Sequence, residues 1–503
     1  VGLSPAALRA YIGAILERQR QEPPLSASPR TSPPNGDLTT APIPALVRRL
    51  AVPAAIGFFF NTMFNVVDTY FAGRLSTEAL AALSLSFPVF FMLVAVGGGF
   101  ATGTTALIGH ALGGGDRRRA SLIAAQGVAL SVGLGLVVSA LGYAAAPPLF
   151  RALGAEGAYL DICLQYMRVI LLAGVLVFGV HMLNAVLNAQ GDTRTFRDAL
   201  ILASVLNVFL DPWLMFGGLG VPPLGIAGLA LATVIAQSFS VVLMARRAWR
   251  SGLLHRSSGA RWRPEGAVMA AIARQGLPAG GSMMTMALGV FVITWFLGSF
   301  SREAVAAYGV ATRIEQILLL PAIGLNVATL ALAAQNGGAR RFDRVRQAIR
   351  TALGAGAVLT IGGGVVLFLA AGPLMDLFTD DQAVIAVGAH YLRIAAFLEF
   401  AYVILFINTS ALQGLKRPAL ALWLGLGRQI VAPVLVFGLA TRVWNVGLDG
   451  IWWGIFGITW AAALAAVFLA RREVAHAERL AHAQHAAGGD QPAGSVHVGS
   501  SPA

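Results

Sequence analysis

Charge is what this chain has least of. Only 12% of its 503 residues are Asp, Glu, Lys or Arg, against roughly 25% in soluble domains. With 57% of residues hydrophobic and a mean hydropathy of +0.72, a water-exposed surface cannot be assembled from so few charges. That excludes a soluble enzyme of one to three domains. Cysteine is nearly absent: Cys163 stands alone, which excludes a disulfide scaffold. Acid is scarcer than base, 23 residues against 36, for a net charge of +13. In a soluble protein that excess would point to nucleic acid, but in a membrane protein it can be loop arginine, so its location decides. What the chain has instead is apolar length. Twelve stretches approach the ~20 residues that a helix needs to cross the bilayer core: near 50–72, 79–108, 120–146, 159–183, 196–217, 224–246, 268–299, 304–334, 347–371, 384–411, 419–440 and 449–470.

The connections sort the basic residues. Those after an even number of spans, with both membrane-flanking ends, hold twenty-two Arg and Lys, among them Arg117, Arg118 and Arg119; those after an odd number hold only Arg74, Arg151, Arg302 and Arg442. This bias predicts that both termini and the long central loop are cytoplasmic, and it accounts for the net charge without a polyanion. The expected organisation is a disordered cytoplasmic tail over 1–44 with one short helix near 5–18, a first lobe over 45–246, an inter-lobe loop over 247–265, a second lobe over 266–472, and a disordered cytoplasmic tail over 473–503. The histidines of that last tail (His476, His482, His485, His497) are expected to be solvated.

The halves repeat. Glu78-Ala79 and Ala81-Ala82 recur as Glu303-Ala304 and Ala306-Ala307, and Tyr166-x-Arg168 as Tyr391-x-Arg393, each 225 positions on; Gln190-Gly191 matches Gln413-Gly414, and Gly225-x-x-Gly228 matches Gly447-x-x-Gly450. Six spans per half is even, so the repeat is parallel. The predicted fold is therefore an all-α polytopic membrane protein with twelve transmembrane helices in two six-helix lobes, related by a pseudo-two-fold axis along the membrane normal. Such a frame points to a secondary transporter rather than an enzyme, and with no G-x-x-x-x-G-K-[ST] motif it needs a coupling ion.

Carboxylates at bilayer depth cost at least a few kcal/mol, so each requires a reason. Asp68 lies in the first span, and Asp211 in the fifth, with Asn207 four residues earlier on the same helical face. Two carboxylates with an amide and a hydroxyl can cage Na⁺, and the same groups can take a proton. The bland alternative is that both acids reach the outer headgroups. In the second half Glu315 and Glu399 are second-rank candidates for coupling or substrate binding. Arg313 and Arg428 accompany them, and Arg313, two positions from Glu315, cannot face it on one helix. Arg168 and Arg393 read as snorkelling or capping groups, and His181 as structural. Pro53 marks either a hinge or a static kink in the first span.

The run Asn65-Val66-Val67-Asp68-Thr69-Tyr70-Phe71-Ala72-Gly73, then Leu80-Ala81-Ala82-Leu83, Ala111-Leu112-Gly113-Gly114-Gly115-Asp116, Gln190-Gly191-Asp192-Thr193, Asn207-x-x-x-Asp211-Pro212 and Gly225-Ile226-Ala227-Gly228 leading to Ala232-Thr233, resembles the multidrug and toxin extrusion (MATE) family. The likeness covers about 45–475. It implies a multi-pass exporter in the bacterial inner (plasma) membrane, with two lobes around a V-shaped cleft, driven by H⁺ or Na⁺ and needing no other cofactor or metal. By motif match Asp68, Asn207, Asp211 and Thr233 would form the cation site of the N-terminal lobe, and Pro53 the kink of the first helix. The acidic seventh helix of another branch is not matched. Implied substrates are bulky, amphipathic, often cationic molecules, with the lipid bilayer as surroundings, no nucleic acid and no obligate protein partner. The rival readings are a lipid-linked oligosaccharide flippase, which would want several cations in its cleft, and an integral-membrane transferase, which would want clustered Asp, His and Arg at one membrane face. A channel would not require two lobes.

Overall fold

A computed structural model describes residues 38–218, 220–443 and 446–488, so the helix expected near 5–18 lies outside the described residues. The first half comprises α1 (Ile43–Leu75), α2 (Thr77–Gly113), α3 (Arg117–Ala152), α4 (Gly157–Leu172), α5 (Gly174–Ala189), α6 (Arg194–Phe216) and α7 (Gly225–Arg250). The second comprises α8 (Gly266–Gly298), α9 (Arg302–Gly338), α10 (Phe342–Leu369), the short α11 (Ala371–Asp376), α12 (Gln382–Ala395), α13 (Glu399–Gly414), α14 (Pro418–Leu426), α15 (Ala432–Arg442) and α16 (Leu448–Gly488). Among the described residues, nine helices are long and apolar enough to cross a membrane, and the count reaches twelve when three bent pairs each make one span. The bent spans are α4 with α5 (49°), the two parts of α9 (52°), and α12 with α13 (53°).

The repeat seen in the sequence is a repeat of helix boundaries. α2 and α9 begin at Thr77 and Arg302, α3 and α10 at Arg117 and Phe342, and α5 and α13 at Gly174 and Glu399, each pair 225 positions apart. The Glu-Ala landmarks belong to helix starts: Ser76 Oγ accepts the N–H of Ala79 and Ser301 Oγ that of Ala304, both at 3.0 Å. Each serine satisfies a helical donor that would otherwise be orphaned.

The lobes are pressed together at the arginine-rich ends of their helices. Gly99 and Gly103 of α2, one turn apart, meet Gly280 and Gly276 of α8 so closely that a Cβ on either would overlap backbone, and Gly113 does the same against Gln335 of α9. Around this glycine seam Gln335 donates to the Ala189 carbonyl at 2.6 Å, and His110 Nε2 lies 2.9 Å from the Gly414 carbonyl.

Ordered structure extends into both stretches that the sequence reading gave to tails. Leu38 is buried and its carbonyl accepts from Asn336 and Arg344, so order begins before residue 45. The stretch after Arg472 is not disordered through its first sixteen residues, because α16 continues to Gly488. Val474, Ala477 and Ala481 pack against Ala333, Phe342, Val345 and Leu415, while Arg346 grips Glu478 in a bidentate pair (2.8 and 2.9 Å) and Arg417 reaches Glu473 at 3.1 Å.

Candidate ion-binding site

The first lobe brings three helices together around buried carboxylates. Asn207 and Asp211 lie one turn apart on α6, so both project to one side. α1 packs on that side: Ser204 Oγ donates to the Phe60 carbonyl at 2.8 Å, and the Phe58 and Phe196 rings meet edge to face at 5.7 Å. α7 closes the group through Gly228, where a Cβ would overlap the Leu214 carbonyl.

This packing buries Asp68, Asn207, Asp211 and Thr233, with Asn207 and Asp211 fully inaccessible at 0%. The carboxylates therefore do not reach the headgroups from the span ends. Asn207 Nδ2 donates to Asp211 Oδ1 at 2.7 Å, and Asp68 sits beside both residues. Thr233 Oγ1 is only 3.5 Å from Asp68 Oδ2 and is also within 3.2 Å of the Leu229 carbonyl, so it is the weakest member. Three buried oxygens, Asp68 Oδ1, Asn207 Oδ1 and Asp211 Oδ2, have no hydrogen-bond partner. An ionised carboxylate only accepts hydrogen bonds, so a buried cluster of such acceptors calls for a positive ligand. A proton on one carboxylate fits that set, and so does a hard cation of Na⁺ size.

Tyr166 of α4 is buried close to Asp68 and Asp211, and sequence reasoning used it only as a repeat landmark. Its repeat mate Tyr391 has the same company in the second lobe, donating to both oxygens of Glu315 at 3.2 and 3.3 Å. The repeat itself was the signal: a tyrosine kept in both halves stands beside a buried acid in both.

The acids themselves are not repeated. At the 225 offset Asp68 matches Ile293, Glu315 matches Phe90 and Glu399 matches Gly174. Glu315 lies just before the bend of α9, near Pro321. Glu399 is the first residue of α13, at the break in its span, where the positive end of a helix faces it. It is fully buried and neither of its carboxylate oxygens has a hydrogen-bond partner. Arg428 stands in a π-helical turn, Gly427–Val431, with its guanidinium 5.0 Å from the centre of the Tyr402 ring; such turns recur at functional sites. Arg313 is exposed, away from Glu315. Arg168 lies over the Tyr143 ring at 5.2 Å, and His181 packs against Gly97, as befits a structural group. Pro53 lies within an unbroken α1, and α8 has Pro278 at the repeat position. Only α1 pairs this proline with an acid fifteen residues on.

Two parallel six-span repeats packed together at one end, with a buried acceptor cluster inside one of them, define a membrane transporter. The MatE family model matches the chain twice, over residues 53–213 and 278–437, one match per half. A "FAD transporter" of Shewanella oneidensis is 30% identical over 412 residues, covering 81% of this chain and 90% of that protein. The "Probable multidrug resistance protein NorM" of Thermotoga maritima is 27% identical over 425 residues, covering 81% and 88%. Among solved structures, an "Outward-facing conformation of a multidrug resistance MATE family transporter of the MOP superfamily" superposes with a TM-score of 0.82 at 24% identity, covering 89% of this chain and 99% of that one. The chain belongs to the MatE family.

Proposed function

We propose that this protein is an antiporter that exports amphipathic, often cationic drugs or toxins by alternating access, driven by inward H⁺ or Na⁺ bound in the first lobe. The observation that carries this reading is the trio of buried, unpartnered oxygens on Asp68, Asn207 and Asp211. The close packing of the lobes at the arginine-rich ends supports a state in which that side is shut. The arginine bias supports a cytoplasmic position for that side and for both termini. Ion binding at Asp68 and Asp211 lowers the negative charge of the site, shifts the helices of the first lobe and lowers the affinity for drug, which leaves. The loaded carrier then turns inward, releases the ion and takes up drug. A coupling of about 1–3 kcal/mol, or about 5–150-fold in affinity, suffices for exchange. Pro53 lets α1 pass a change at Asp68 along as a bend. Glu315 and Glu399 take second place, as a further proton or substrate site supported by the two unpartnered oxygens of Glu399.

The test is efflux from proteoliposomes under a pH gradient without Na⁺, then a Na⁺ gradient at uniform pH, with a cationic dye and FAD as alternative substrates. The FAD arm follows from the Shewanella relative. Efflux indifferent to both gradients would sink the antiport reading, and transport of FAD alone would replace the substrate class.

A further inference from the structure

The segment joining the lobes forms a basic, aromatic pocket that ion coupling does not use. After α7 the chain passes through a 3-10 turn, Arg256–Ser258, before entering α8. This connection is firmly held. Leu253 and Leu254 insert into the core of the first lobe, and Arg117 donates to the Ser251 carbonyl at 2.9 Å. Buried Gln126 donates to the carbonyls of Arg261 (2.7 Å) and Arg263 (2.8 Å), while its own oxygen accepts the N–H of Glu265 at 2.8 Å.

Trp249, His255, Arg256, Ser257 and Trp262 line a cavity of about 630 Å³. The Trp249 and His255 rings are 5.0 Å apart, and the buried Nε2 of His255 has no hydrogen-bond partner. The local charge is of one sign. Residues 251–265 carry Arg256, Arg261 and Arg263 against a single acid, Glu265, which already faces Arg261 at 3.5 Å. Arg246 and Arg250 project from the last turns of α7 and are exposed. Below the cavity runs an apolar track. Phe239, Val242, Arg246 and Trp249 share one face of α7, with Phe239 51%, Val242 65% and Trp249 53% exposed.

We propose that this pocket binds the headgroup of an anionic phospholipid from the leaflet at the arginine-rich face. The phosphate lies against Arg256, the acyl chains lie along Phe239 and Val242, and Trp249 sits at the boundary, where tryptophan prefers to be. The apolar track is what commits the site to a lipid, since a free phosphate has no use for it.

Native mass spectrometry of the purified chain, titrated with phosphatidylglycerol and separately with phosphatidylcholine, tests the proposal. The expected result is a saturable phosphatidylglycerol adduct that phosphatidylcholine does not match. Arg256→Gln weakens it about fivefold, as follows from ~1 kcal/mol per basic residue. Ser257→Glu, another exposed position, places a like charge beside the headgroup and weakens it at least as much, so a fault in one variant does not blunt the test. Arg471→Gln, on the same face but outside the pocket, leaves the adduct unchanged. Equal binding of the two lipids, an Arg256→Gln variant of undiminished affinity, or displacement by millimolar glycerol phosphate would each overturn the proposal, the last by showing a phosphate site without lipid.

Discussion

Replacing Asp68 by Asn tests the coupling mechanism most directly. The substitution keeps the shape of the side chain, but it exchanges an oxygen for an amide nitrogen and lowers the largest negative charge of the site from two to one. Asp68 lies within hydrogen-bonding reach of Asn207 and Asp211 and meets the Thr233 hydroxyl only at 3.5 Å, and the Oδ1 of an asparagine in its place can still accept. Removing one of two adjacent buried carboxylates relieves a desolvation cost that offsets the altered contacts, so the thermal midpoint in detergent stays level or rises. Transport responds in the opposite direction. Asp68→Asn uncouples the ion from the drug, and gradient-driven efflux from proteoliposomes falls about 5–150-fold, the span of a 1–3 kcal/mol coupling. The expected order within the site follows its geometry. Asn207→Ala removes a 2.7 Å bond to a carboxylate, about 1.5–3 kcal/mol. Thr233→Val removes a contact at the limit of hydrogen bonding, so it costs less than about 1 kcal/mol, under fivefold in rate. Unchanged gradient-driven efflux by Asp68→Asn would refute the reasoning, as would a rate loss that merely tracks a lowered melting point.

Three further outcomes follow. Tyr391→Phe strips Glu315 of its hydroxyl donor in a buried setting and lowers stability by about 1–3 kcal/mol, read as a lower thermal midpoint; an unchanged midpoint would mean that another group satisfies the carboxylate. Gly99→Val forces α2 from α8 at the seam, so a cysteine-pair crosslink across it, built on Cys163→Ala, forms less readily than in the parent; equal crosslinking would show that the seam yields. Glu478→Gln breaks a half-exposed ion pair and costs less than about 1 kcal/mol. Truncation after Arg472 costs more, because it also removes the apolar contacts of Val474, Ala477 and Ala481. Thermal unfolding of the two proteins side by side checks that order.

The membrane frame was open to sequence reading because hydrocarbon imposes a simple rule: about twenty apolar residues per crossing, with arginine left at the ends. The grouping of Asp68 with Asn207 and Asp211 was readable because Asn207 and Asp211 are one helical turn apart and intramembrane acids are few. Other features were hidden for physical reasons. The extension of α16 was masked by its Ala and His content, which looks like a polar tail until Val474, Ala477, Glu478 and Ala481 are seen at helical spacing. The breaks in α9 and between α12 and α13 leave no mark in hydropathy, so the position of Glu399 at a helix start was out of reach. The partnership of Tyr391 with Glu315 spans 76 residues, and only folding brings the two together.

The glycine seam has a bearing on leakage. Where Gly99 and Gly103 meet Gly276 and Gly280, backbone touches backbone, and the gap between α2 and α8 has no width into which a file of water molecules could thread. The barrier at that end is backbone packed on backbone, with the Gln335 and His110 side chains bridging beside it. A side-chain plug can swing aside by rotating one bond, but this wall of backbone opens only when two helices part along their shared length. Solute on either side of such a wall passes only with the lobe movement and does not seep through a standing gap.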